Sequence, residues 1–148
     1  MTDAAFASIV VGTDGSQTAE TALRAAVDLA RQSAARLHIV SAYERPGDHD
    51  KPSESRAAPV AVEGSGDVVS VLDGARELAR RDGVGQVETF ARQGDAANAI
   101  VSVATEQAAD LIVVGNKGIT SARGLLLGSV PSKVSRLAPC SVLIVRTT

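Results

Sequence analysis

The residues best suited to chemistry lie between Gly115 and Ser129. The segment opens Val113-Val114-Gly115-Asn116-Lys117-Gly118 and closes, after residues 119–127, with Gly128-Ser129-Val130. Gly115 and Gly118 let the backbone turn sharply and approach a ligand with no Cβ in the way. Gly128 and Ser129 open a helix, where backbone N–H groups without intrahelical partners and the helix dipole favour an anion. The Ser129 hydroxyl adds one more donor. One such glycine alone is most simply a turn; three at this spacing, with a serine at the helix start, predict a phosphate-binding loop. Lys117 and Arg123 lie inside it as cations able to reach phosphate, although isolated basic loop residues are more often simply solvated.

Better-known phosphate loops do not fit. Walker A chemistry needs Gly-Lys-Ser/Thr, which occurs nowhere in the chain. The early loop Gly12-Thr13-Asp14-Gly15 does not make Gly-x-Gly-x-x-Gly, the dinucleotide fingerprint. Asn116-Lys117 could start a guanine-reading Asn-Lys-x-Asp, but Ile119 stands where the Asp belongs. The rest of the chain offers no catalytic residue and no metal set. His38 sits in an apolar strand, as a core or sheet-surface residue; His49 lies in a polar stretch; Cys140 precedes a buried strand and packs there.

The elements that must hold this loop can be read from apolar periodicity. Strands are expected at Ser8–Val11, Leu37–Ala42, Gln86–Ala91, Leu111–Val114 and Val142–Val145, each bounded by turn residues. Helical spacing appears at 18–35, 67–81, from 94 to about 108, and at 129–137. Ser16 or Thr18 suits the first N-cap and Asp67 the second. The polar third strand reads as a sheet edge, and the uniformly apolar fourth as central. Residues 43–66 hold three of the five prolines and no sustained period, so a long flexible loop within a single domain is expected there. Strands alternating with helices give an α/β fold: an open, doubly wound, five-stranded parallel sheet of Rossmann-like type with four helices.

Composition narrows the function class. The chain has 148 residues, 45% of them hydrophobic but only 2% aromatic, and a formal net charge of −2. It lacks the basic footprint of a nucleic-acid binder and the aromatic platforms for stacking single strands. No apolar run approaches the roughly 20 residues that cross a bilayer. The single cysteine and the absence of a leader-like N-terminus fit a cytoplasmic protein.

Gly115-x-x-Gly118, nine residues, then Gly128-Ser129 resembles the nucleotide-binding signature of the universal stress protein family. Val10-Val11-Gly12-Thr13-Asp14-Gly15-Ser16 is similar to that family's first strand and acidic turn, and Cys140-Ser141-Val142-Leu143-Ile144-Val145 to its last strand. The resemblance thus runs along the whole chain. It implies strand order 3-2-1-4-5 and an adenine nucleotide as ligand. Asp14 would face the nucleotide beside Gly12 and Thr13, and the backbone around Ala42 would meet the adenine. Val114, Gly115, Gly118, Gly128 and Ser129 would hold ribose and phosphates, with Asn116, Lys117, Arg123 and Val130 completing the candidate set. On the residues alone, Asp14 serves equally well as a turn residue or helix cap.

Which nucleotide is bound stays open between cyclic AMP and ATP, the latter with magnesium, and AMP is a third candidate. ATP-binding members often continue Gly-Ser-Val-Thr or Gly-Ser-Val-Ser; here position 131 is Pro, with neither N–H nor hydroxyl. Gly-Asn-x-Gly with Gly-Ser-Val-Pro resembles a subset of actinobacterial members, some of which bind cyclic AMP. The role implied is regulatory or nucleotide-sequestering. The competing readings are a homodimeric interaction module with a vestigial site and, more weakly, a slow ATP hydrolase. The resemblance also implies a homodimer through Val142–Val145, an apolar strand expected at a sheet edge.

Overall fold

The computed structural model describes residues 6–44, 62–116 and 127–147. The chain runs β1 (Ser8–Gly12), α1 (Gln17–Ser33), β2 (Arg36–Glu44), β3 (Val62–Glu63), α2 (Gly64–Arg81), β4 (Val87–Gln93), α3 (Ala96–Glu106), β5 (Leu111–Gly115), α4 (Ser129–Leu137) and β6 (Ser141–Val145). Every strand pairing is parallel. The five principal strands lie in the order β4-β2-β1-β5-β6, which is 3-2-1-4-5 when the two-residue β3 is left out of the numbering. The α/β fold with four helices is therefore as expected.

Local sequence explains most element ends. Helix α1 starts because the Ser16 hydroxyl accepts the Ala19 N–H at 3.2 Å, with Glu20 in the first turn and Arg31 in the last, each favourable to the dipole. It ends as Ala34 turns left-handed at φ 56°. Helix α3 is capped by Asp95, whose Oδ2 accepts the Asn98 N–H at 2.9 Å. Helix α2 begins at Gly64 instead of at Asp67, which falls within the first turn and meets the dipole there without being the cap.

Two further details bear on the sequence expectation. The strand at Leu111–Gly115 is internal, between β1 and β6, and β1 takes the middle of the sheet. The stretch 43–66 is bounded by structure: Tyr43 and Glu44 belong to β2 and pair with Val62 and Glu63 of β3, while residues 45–61, His49 among them, lie outside the described residues. Tyr43 also pairs with Gln93 of β4. A strand residue has one neighbour on each side, so β3 lies on the side of β2 that β1 occupies only as far as Val40. Two-residue strands carry no periodicity, and β3 left no trace in the sequence pattern.

The sheet buries both faces, as strands of a doubly wound fold must. Alternate residues Ile9, Val11, Leu37, Ile39, Leu111 and Val113 pack under α1 and α2. Val10, Val40, Ala42, Ile112 and Val114 pack under α3 and α4 with Ala97, Ile100, Val103 and Val134. Small alanines on the helices let them sit close to the β-branched strands. A Cβ on Gly12 would lie 2.5 Å from Ile100 Cδ1, so a side chain there would force the end of Ile100 on α3 to move.

Candidate functional site

In an all-parallel sheet all strands end at one rim. The connections on the two sides of β1 run in opposite directions: α1 leads from β1 to β2 on one side, and α3 leads from β4 back to β5 on the other. Ligands of open α/β sheets bind where strand order reverses in this way, at the carboxyl ends. The ends of β1 (Gly12), β2 and β5 (Gly115) meet there, and so do most of the candidate residues.

The β1 end is tightly organised. The Thr13 N–H donates to the Val40 carbonyl at 2.9 Å, and its buried Oγ1 accepts the Gly15 N–H at 3.2 Å. Gly15 has φ +83°, and a Cβ there would press on Val71 of α2 at 2.9 Å; both conditions call for glycine. Asp14 is half-buried, and its Oδ1 accepts the Ser16 N–H at 2.9 Å. Turn residue and ligand group are thus compatible roles: one oxygen is fixed by the turn, and Oδ2 has no hydrogen bond among the described residues. Ala42 is buried on β2, its side chain in the core under α3, so only its backbone is placed to meet a ligand.

At the β5 end, Val114 is buried and Gly115 is the last strand residue, opposite Val145. Asn116 follows. Its N–H donates to the Val145 carbonyl at 2.8 Å, and its own carbonyl accepts the Gly128 N–H at 2.9 Å. The two chain ends flanking residues 117–127 are thereby joined. Lys117, Gly118 and Arg123 lie outside the described residues. The Gly128 N–H is therefore engaged within the protein and is not among the outward-pointing donors the sequence suggested. Gly128 is the N-cap of α4 and supplies no side-chain cap, unlike Ser16 and Asp95 at α1 and α3. The N–H groups of Ser129 and Val130 and the exposed Ser129 hydroxyl are left as the donors of that first turn; Pro131, buried behind them, has none. Beside this helix, Lys133 Nζ lies 3.2 Å from Asp95 Oδ2, tying α4 to the start of α3.

The titratable groups elsewhere form a different arrangement at the opposite rim. Ser8 Oγ lies 3.0 Å from His38 Nε2, both residues buried. The Asp110 carboxylate accepts the N–H of Ala7 at 2.9 Å and of Ser8 at 3.2 Å, and does not orient the imidazole. His38 Nδ1 is buried without a partner. A nucleophilic triad needs an accessible hydroxyl and an oriented base; this pair has neither. Burial, with the Asp110 charge adding to it, pushes the Cys140 thiol upward, so it stays protonated and unreactive. Among the described residues no group of three His, Cys, Asp or Glu side chains is placed to hold a metal. No described helix is long and apolar enough to cross a membrane.

Fold and rim together define an open, parallel α/β domain whose strand order switches beside β1, with the start of α4, which lacks a side-chain cap, joined to that rim. More particularly, the chain belongs to the universal stress protein family, whose sequence model matches residues 5–146. It is 41% identical over 150 residues to Universal stress protein Rv1636 of Mycobacterium tuberculosis, covering 97% of this chain and 99% of that protein. A universal stress protein solved in complex with cAMP superposes with TM-score 0.74 at 34% identity, over 97% of this chain and 98% of the other. The universal stress protein from Archaeoglobus fulgidus in complex with dAMP gives TM-score 0.65 at 25% identity, over 93% and 96%.

Proposed function

We propose that the protein binds an adenine nucleotide at the rim formed by β1, β2 and β5 and acts by binding, as a cytoplasmic regulatory or nucleotide-sequestering protein. The observation that carries this reading is the start of α4: an uncapped helix N-terminus, joined by Asn116 to the end of β5, at the point where strand order reverses. The relatives solved with cAMP and dAMP support the ligand class. In this reading the Asp14 Oδ2 accepts from ribose hydroxyls, the backbone near Ala42 reads the adenine edge, and Ser129 and Val130 hold phosphate. Gly115 and Gly118 give the loop its close approach, and Lys117 and Arg123 supplement the positive field.

The donor set favours cyclic AMP over ATP. Two backbone N–H groups and one hydroxyl suit the two non-bridging oxygens of a phosphodiester. A triphosphate carries more charge and asks for more donors, and Pro131 brings no N–H to this first turn. Magnesium would accompany ATP only. Binding without turnover fits the one Ser–His pair among the described residues, which is buried at the far rim from this cleft.

Calorimetric titration of metal-stripped protein with cyclic AMP, ATP and AMP, with and without magnesium, tests the proposal. Cyclic AMP is expected to bind with a dissociation constant on the order of micromolar, about −8 kcal/mol. Gly118→Val should weaken it strongly, and Pro131→Thr should move the preference toward ATP. If none of the three binds, the nucleotide reading falls and a homodimeric module with a vestigial site takes its place.

A further inference from the structure

Asn116 makes more hydrogen bonds than a loop residue needs. Besides the two backbone bonds to Val145 and Gly128, its side-chain Oδ1 accepts from the Thr147 N–H at 2.9 Å and from the Thr147 hydroxyl at 3.0 Å. Four bonds from one residue thus gather three segments: the end of β5, the start of α4 and the chain just past β6. An amide oxygen has two lone pairs, and both are used here, so the Asn116 side chain is held in one orientation.

Thr147 lies two residues beyond the edge strand β6, where a chain ordinarily frays unless tied down. Its two bonds to Asn116 fasten it. Gly128, on the other side of Asn116, immediately precedes Ser129 and Val130, the donors assigned to phosphate above. Those donors are effective only if held to within a few tenths of an ångström of the ligand oxygens, which requires a rigid supporting shell.

We propose that Asn116 and Thr147 are positioning residues for the nucleotide site: together they set the start of α4 against the end of β5. On this view Asn116 acts through its contacts to the chain and not as a ligand. The residues after β6 become part of the site without touching nucleotide. This inference rests on the nucleotide-binding reading above and deepens it.

The test uses the full chain carrying Asn116→Leu, Thr147→Val or Thr147→Ser. Amide hydrogen exchange at Gly128, Ser129, Val130 and Thr147 is followed without nucleotide, cyclic AMP affinity is measured by calorimetry, and melting temperature reports the fold. Removing both side-chain bonds in N116L should speed exchange at Gly128 and Thr147 and weaken cyclic AMP about tenfold. Removing one in T147V should weaken it about threefold with the melting temperature unchanged, and T147S should restore wild-type affinity. Affinity unchanged in both N116L and T147V overturns the inference, even if exchange quickens, because the joint would then not position the site. T147S as weak as T147V would also overturn it. If the wild-type protein binds no adenine nucleotide, the parent reading fails and this one with it; wild-type binding whose affinity is the same in N116L and T147V sinks this one alone.

Discussion

His38 shows what a single residue can do in this fold. It was expected in the core or on the sheet surface, and it is fully buried, its ring tilted against Phe90 with centroids 5.9 Å apart. If Nε2–H donates to Ser8 Oγ, that hydroxyl can in turn donate to the Gln107 carbonyl at 3.4 Å, and only the Nδ1 lone pair is left without a partner. Protonation would put an N–H with no acceptor, and a charge, into the sheet. Burial accordingly lowers the His38 pKa; Glu88 on β4 opposes this and Arg36 adds to it. The remaining charges nearby, Arg92 and Glu106 beyond the Phe90 ring, are paired with each other at 2.7 Å, and Asp110 is engaged by the Ala7 and Ser8 amides. As pH falls below the ordinary histidine value of about 6.5, the unfolded chain takes up a proton and the folded chain does not. The stability contribution is full above that value, declines as pH drops toward the folded pKa, and is flat below it. Urea midpoints at about pH 7.5 and about pH 5.5 should therefore fall more in the wild type than in His38→Gln, which has no titrating group. Equal falls would mean that other groups set the acid response. The sequence placed His38 in an apolar run; it could not show the Ser8 hydroxyl thirty residues upstream as its partner.

Among elements, β1 and α3 meet where Gly12 faces the Ile100 side chain. As a candidate ligand residue Gly12 was read from its place before Asp14. The structure gives it a packing reason as well, since any side chain would enter the space of Ile100 on α3. Gly12→Ala should thus be destabilising by about 1–3 kcal/mol, the usual cost of overpacking, less a small gain from the lost glycine flexibility. Ile100→Val removes the Cδ1 that lies nearest the new methyl, so the double variant should recover part of the loss. A double-mutant cycle by urea denaturation measures this; strict additivity would show that the two side chains do not compete. Elements with a long apolar period or a capping residue were legible in the sequence: α1 with Ser16, α3 by its helical spacing, and β5 as an unbroken apolar run. The start of α2 was not, because Gly64, Ser65 and Gly66 have weak helix propensity and the helix begins there in spite of it. The candidate site divides likewise. The signature glycines could be picked out by their spacing and Asp14 through the family resemblance, whereas the Asn116–Gly128 and Asn116–Thr147 bonds join positions whose proximity arises only once β6 lies beside β5.

At the scale of the whole molecule, the sheet has two unlike edges. Strand β4, at one side, carries polar residues outward, and its Arg92 is clamped to Glu106 of α3 by two bonds of 2.7 and 2.9 Å. Strand β6, at the other, is apolar from Val142 to Val145 and incompletely covered: Leu143 is 38% exposed, and Leu137 at the end of α4 is 47% exposed. Its outer backbone has no pairing strand among the described residues. An exposed apolar edge of this kind invites a second strand, and soluble chains normally blunt such edges with charge. We therefore expect β6 to pair with β6 of a second copy about a two-fold axis, which buries Leu143 of both chains in one self-complementary patch on the α1 face of the sheet. Sedimentation over a range of concentrations should give a dimer for the wild type. Leu143→Lys places a charge in the centre of the patch on each chain, so like charges face each other across the axis, and it should shift the equilibrium to monomer. The substitution lies at a partly exposed position, so the fold should survive it, as an unchanged far-ultraviolet spectrum would verify. A wild type that sediments as a monomer at every concentration, or a dimer indifferent to the lysine, would place any self-association on another surface.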